Sequence, residues 1–188
     1  MKQSPVTRSR APVSDLVAIS FGGLLLSMVS LSVNFPLEAH AVVGMKAPDV
    51  TSPAWINAEP QSLGALRGRV VLVEFWTFGC YNCRNVEPYV KQWHERYADR
   101  GLVVIGIHSP EFAYEKSVEA VTRYVQEHNI RYAVAVDNEF VNWHRFGNRY
   151  WPAMYLIDKS GVIRYVRIGE GGYGETERVI QMLLAEAP

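Results

Sequence analysis

The chain carries only two cysteines, Cys80 and Cys83, two residues apart in the run WTFGCYNCRNVEP. Thiols at this spacing suit reversible disulfide exchange, or half of a tetrahedral metal site, or they carry no chemistry at all. Cys80 directly follows an apolar run and opens a helical pattern, so its sulfur meets the unsatisfied N–H groups and the positive end of a helix. Both favour thiolate, the attacking form in disulfide exchange. Cys83, one turn further in, is expected to be shielded and placed to displace a bound partner. The metal reading needs more ligands. His94, His108, His128 and His144 are available, but no second Cys-x-x-Cys and no His-x₃–₅-His pattern accompanies the pair.

The elements that position these thiols follow from periodicity. Arg69 to Trp76 (RVVLVEFW) reads as a strand buried on both faces. Cys80 to Asp99 reads as a helix, with Val86, Val90, Trp93 and Tyr97 on one face and Gly101 as its stop. LVVIGIH (Leu102–His108) and AVAVD (Ala133–Asp137) are two further strands, with an amphipathic helix over Ser117–His128 between them. A short helix is expected over Glu139–Phe146. Ala153–Asp158 and Val162–Ile168 form a hairpin around Lys159-Ser160-Gly161. A last helix spans Thr176–Leu184. Strands alternate with helices first and a hairpin comes late, which predicts an α/β fold with a mixed central sheet flanked by helices.

Lys plus Arg and Asp plus Glu each total 19 among 188 residues, so the charge balance points to no nucleic-acid partner. Two cysteines are too few for a disulfide-stapled scaffold. Residues 1–41 read as an export signal: Lys2, Arg8 and Arg10 precede an uncharged run from Leu16 to Val33, and Ala39-His40-Ala41 supplies a small-x-small cleavage site. The alternative is an uncleaved anchor that tethers the chain to the membrane through residues 16–33. Either places the folded part outside the cytoplasm, a periplasmic location that permits an oxidised pair. Residues 42–53 read as a tether or irregular lead-in, and 54–188 as one domain.

The residues around the pair resemble a known family. VEFWTFGCYNC (Val73–Cys83), Pro88, and Trp151-Pro152-Ala153 are similar to the active-site segment, helix proline and cis-proline segment of thioredoxin-fold proteins. His108–Asp137 resembles the extra helix and strand of the TlpA-like exported branch. Trp55-Ile56-Asn57, HSPEF (His108–Phe112), GNRYWPAMYLID (Gly147–Asp158) and GEGGYGETE (Gly169–Glu177) resemble the thioredoxin-like domain of DipZ-type proteins. The resemblance implies a thioredoxin-like fold and a thiol–disulfide oxidoreductase, in the reductase form, acting without a cofactor. It also implies client proteins with disulfides or thiols, and a membrane electron donor of the CcdA or DsbD type. Cys80 and Cys83 would form the redox-active disulfide. Glu74 would be a buried acid relaying protons to Cys83. Trp76, Trp151 and Pro152 would meet the substrate, whose backbone would pair beside Pro152.

Two other functions remain open at this level. A thiol peroxidase is suggested by Thr77, three residues before Cys80, although Val73 stands where that pattern requires proline. A non-catalytic binding module is the other; the intact pair, Glu74 and Pro152 speak against it.

Overall fold

The structure, a computed structural model, describes residues 42–187. The signal or anchor expected over residues 1–41 lies outside the described residues. Among the described residues, no helix is long and apolar enough to cross a membrane.

Strands β1 (Trp55–Ile56), β2 (Val70–Trp76), β3 (Leu102–His108), β4 (Ala133–Val136), β5 (Ala153–Ile157) and β6 (Ile163–Ile168) form one sheet in the order β1-β4-β3-β2-β5-β6. β3 runs parallel to both β2 and β4, while the β2–β5, β5–β6 and β1–β4 pairs are antiparallel. Helices α1 (Tyr81–Tyr97), α2 (Val118–Glu127), α3 (Val141–Arg145) and α4 (Tyr173–Ala185) accompany the sheet. The mixed α/β sheet expected from the sequence is therefore present. So is the inserted helix and strand, as α2 and β4.

Every residue of β2 is buried, as its unbroken apolar pattern requires. Alternation sends Val71, Val73 and Phe75 into one core with Trp143, Phe146 and Tyr155. Val70, Leu72 and Trp76 enter the other, with Val86, Val90 and Trp93 of α1 and Ile180 and Leu183 of α4. Glu74 shares the period of Leu72 and Trp76, so it lies on the α1 side of the sheet.

α1 buries Cys83, Val86, Val90, Trp93 and Tyr97, a stripe with alternating spacings of three and four. It tightens into a 3₁₀ turn (Ala98–Arg100) and stops at Gly101, whose φ of 108° is left-handed. α4 starts at Tyr173, earlier than its apolar spacing suggests, because Thr176 hydrogen-bonds back to the Gly172 carbonyl through both its N–H and its hydroxyl.

The lead-in is irregular, as expected, but it is not a free tether. The Gly44 and Ala47 amides donate to the Ile163 and Gly161 carbonyls, at 2.8 and 3.0 Å, and Val50 is buried. Buried Asn142 holds Thr51 at both ends, accepting from its N–H at 3.0 Å and donating to its carbonyl at 2.6 Å. Asn142→Ala strips both partners from this segment. We expect a loss of about 1–3 kcal/mol in urea unfolding, with faster proteolysis between residues 42 and 53.

Candidate active site

β2 ends at Trp76 and α1 begins at Tyr81, so Thr77-Phe78-Gly79-Cys80 must turn the chain from sheet to helix. Cys80 is the N-cap of α1. Its backbone is extended, and its sulfur accepts the Cys83 N–H at 3.2 Å. A sulfur thus occupies the place usually filled by a Ser or Asp oxygen. Cys80 is half-buried and Cys83 is 3% exposed; both are free thiols in this structure. The Cys83 side chain hydrogen-bonds the Cys80 sulfur and, together with the Cys83 and Asn82 amides, brings its pKa down to about 7 against the opposing effect of burial. The same hydrogen bond, reinforced by burial and by the charge of Glu74, drives Cys83 strongly upward. One thiol is poised to ionise and the other to keep its proton.

Two side chains from distant segments fix the turn. His108, at the end of β3, is fully buried. Its Nε2 lies 3.2 Å from the Thr77 hydroxyl and accepts the Phe78 N–H at 3.4 Å, and its ring stacks on Phe78 at 5.4 Å. Burial lowers its pKa to about 4, so it is neutral at physiological pH. Glu115, in the 3₁₀ turn Ala113–Lys116, is also fully buried. Its carboxylate accepts N–H bonds from Gly79 at 2.8 Å, Glu111 at 2.6 Å and Phe112 at 2.9 Å. A Cβ on Gly79 would run into that carboxylate, so a larger residue beside Cys80 would have to displace Glu115 from its three amides. Nothing in the sequence singles out Glu115, and His108 reads there as the end of a strand. No local pattern distinguishes an acid that faces water from one that binds three amides.

Cys80 opens into a cleft of about 410 Å³ lined by Gly79, Tyr81, Asn82, Glu111, Arg149, Tyr150 and Trp151. Trp151 is half-buried there, its indole N–H donating to the Ser109 carbonyl at 3.0 Å and its ring 4.2 Å from that of Trp143. The Trp151–Pro152 bond is cis, as the resemblance implies, and Pro152 is buried behind Trp151. Trp76 does not meet the cleft, contrary to the expectation that it touches substrate: it is 4% exposed and packs edge-on against His108. Its place in the strand alternation turns it into the core, where it supports the turn from below. A second cleft, of about 470 Å³, lies between Thr51–Pro53 and Val136–Glu139. It holds no thiol, and its buried Asp137 is committed to the Asn142 and Trp143 amides.

Glu74 is 2% exposed on the same side of the sheet as Cys83. Burial raises its pKa to about 8, the charge of Glu87 adds to this, and a hydrogen bond from Tyr132 partly offsets it. Tyr89 and Tyr173 stack at 3.5 Å, and Asn85 donates to Glu170 at 3.1 Å, which docks the glycine-rich loop on α1.

Two outcomes test this electrostatics. Iodoacetamide should label Cys80 and spare Cys83, with a rate that rises with pH around a midpoint near 7; peptide mapping reads the site. Glu74 binds its proton more tightly folded than unfolded, so it lowers stability as pH rises from about 4.5 to about 8 and has no further effect above. Glu74→Gln removes this loss, so its advantage over the wild type in urea midpoint should grow across that window and then level off.

The fold and the matching sequences agree. A solved thiol-disulfide isomerase from Corynebacterium glutamicum superposes with a TM-score of 0.66 at 28% identity, covering 75% of this chain and 98% of that one. The thiol-disulfide oxidoreductase YkuV of Bacillus subtilis (strain 168) is 29% identical over 140 residues, 74% of this chain and 94% of the relative. Protein DipZ of Mycobacterium tuberculosis (strain CDC 1551 / Oshkosh) is 43% identical over 145 residues, 75% of this chain. The chain spans only 21% of the length of that DipZ protein. The fold is thioredoxin-like. The AhpC/TSA family model matches residues 43–166, from the docked lead-in into β6, and the chain belongs to that family.

Proposed function

We propose that this protein is a thiol–disulfide oxidoreductase working outside the cytoplasm on disulfides of client proteins. One observation carries the reading: Cys80 caps α1 in an open cleft while Cys83 lies buried beneath it, the Cys83 amide 3.2 Å from the Cys80 sulfur. The Cys80 thiolate attacks one sulfur of a client disulfide, and the other leaves as a thiolate. Cys83 then loses its proton and attacks the Cys80 sulfur. The Cys80–Cys83 disulfide forms, the bond to the client breaks, and the client is left reduced. Glu74 has the character of the base that takes this proton, since it is buried on the same face as Cys83 and has a pKa of about 8. The client segment would lie along Trp151 and the backbone before Pro152, beside Cys80.

The export signal or anchor read in residues 1–41 supports a periplasmic or membrane-tethered location. The likeness to DipZ supports a membrane electron donor of the CcdA or DsbD type, which would reduce the pair again. The peroxidase reading ranks behind, because the Thr77 hydroxyl it needs beside Cys80 lies against His108 Nε2.

Cys83→Ser tests the exchange reading. The variant should accumulate reductant-sensitive mixed disulfides with envelope proteins on non-reducing gels, and Cys80→Ser should form far fewer. If neither traps a partner while the wild type consumes peroxide, the peroxidase reading replaces this one.

A further inference from the structure

Glu87 lies four residues after Cys83 on α1, so both side chains project from the same face of the helix, one turn apart. A carboxylate on the buried side of an amphipathic helix needs a reason, and this one is 8% exposed. It gathers three partners from two elements. Tyr124 of α2 donates its hydroxyl at 2.9 Å, His128 places Nδ1 3.2 Å from both carboxylate oxygens, and Lys91 of α1 approaches to 3.3 Å. Lys91 also donates to the His128 carbonyl at 2.6 Å, and the His128 ring stacks on Tyr124 at 3.8 Å. The His128 side chain is 37% exposed. The cluster therefore runs from the helix turn beneath Cys83 to solvent.

Inward of the cluster, Glu74 is buried on the face of the sheet that α1 covers. The charge of Glu87 acts on Glu74, and Tyr132, which hydrogen-bonds Glu74, feels the charges of both acids. The titratable and charged groups facing this path are Glu74 from β2, Cys83, Glu87, Lys91 and His94 from α1, the last edge-on to Tyr132 at 5.9 Å, Tyr124 and His128 from α2 and its end, and Tyr132 before β4, with Arg84 acting on Tyr124.

We propose that Glu87, Tyr124 and His128 form the outlet through which the proton of Cys83 leaves the buried site for solvent. This inference rests on the exchange reading above. When Cys83 attacks, its proton passes to the Glu74 carboxylate. From there it passes to Glu87, one helix turn from Cys83, and by the Tyr124 hydroxyl and the His128 imidazole, which both meet that carboxylate, to water. Cys83 then attacks as a thiolate, the new disulfide forms, and the leaving group departs as a thiolate, so charge and protons balance. In the reverse direction the same groups return a proton to Cys83. Imidazole suits the outer position because one ring nitrogen accepts as the other releases. Glu87 acts through Glu74 and does not touch the sulfurs, so it is a positioning residue for the proton.

The test separates attack from resolution. Reduced protein is mixed with 5,5′-dithiobis(2-nitrobenzoate). Attack by Cys80 releases the first thionitrobenzoate, and closure by Cys83 releases the second. For Glu87→Gln, the first phase should stay within about twofold of wild type, and the second should slow on the order of tenfold at neutral pH. Added imidazole buffer should restore the second phase, as it would not for a purely structural defect. His128→Gln, a partly exposed change that keeps a donor for Glu87, should show the same pattern more weakly. A wild-type second phase in both variants overturns the outlet and leaves the exchange reading intact. A slowed second phase that imidazole does not restore also overturns it, because Glu87 is then structural. A wild type that releases no second thionitrobenzoate overturns the exchange reading and the outlet with it.

Discussion

The hydrogen bond from the Cys83 amide to the Cys80 sulfur is where fold and chemistry meet. A helix N-terminus has more N–H donors than partners, and here a sulfur satisfies one of them. The bond exists only while Cys80 keeps its extended backbone and Tyr81 begins the helix. β2 must therefore end at a fixed point and α1 must dock at a fixed angle. β2 does so because it is buried on both faces and paired on both edges. α1 does so because five of its residues enter the core in one stripe.

The turn between them is held by groups that arrive from far along the chain. His108 comes from the neighbouring strand and Glu115 from the inserted segment, so the insertion is part of the site's framework. A buried carboxylate is costly when unpaired, and Glu115 is satisfied by three amides, one of which belongs to the residue before Cys80. That arrangement restrains the sulfur's position without contributing a group to the reaction.

Burial also divides labour between like groups. The two thiols differ by exposure and by the direction of the hydrogen bond between them, which pulls Cys80 down and pushes Cys83 up. The two acids differ in the partners they meet. Glu74 has a single phenol for company and is raised to about 8, whereas Glu87 is met by a lysine, a tyrosine and a histidine. Burial and one hydrogen bond thus set Cys80 apart as the ready nucleophile under one helix turn.

The amino-acid sequence by itself determined the order of strands and helices, the capping position of Cys80, the burial of Glu74 and the segment around Pro152. Those features are written in short-range patterns: alternation over seven residues, a three-and-four spacing, and a strand running directly into a helix. Tertiary structure alone decided the rest. Trp76 faces the core and not the cleft beside Cys80, because the alternation that could have been read from β2 has meaning only once the side on which α1 packs is known. The lead-in is docked through Asn142, 91 residues away, and Glu115 reaches Gly79 across 36. Glu87 finds His128 across 41. Polar contacts over such distances leave no periodic trace, since a glutamate that binds amides or imidazole is the same letter as one that faces water.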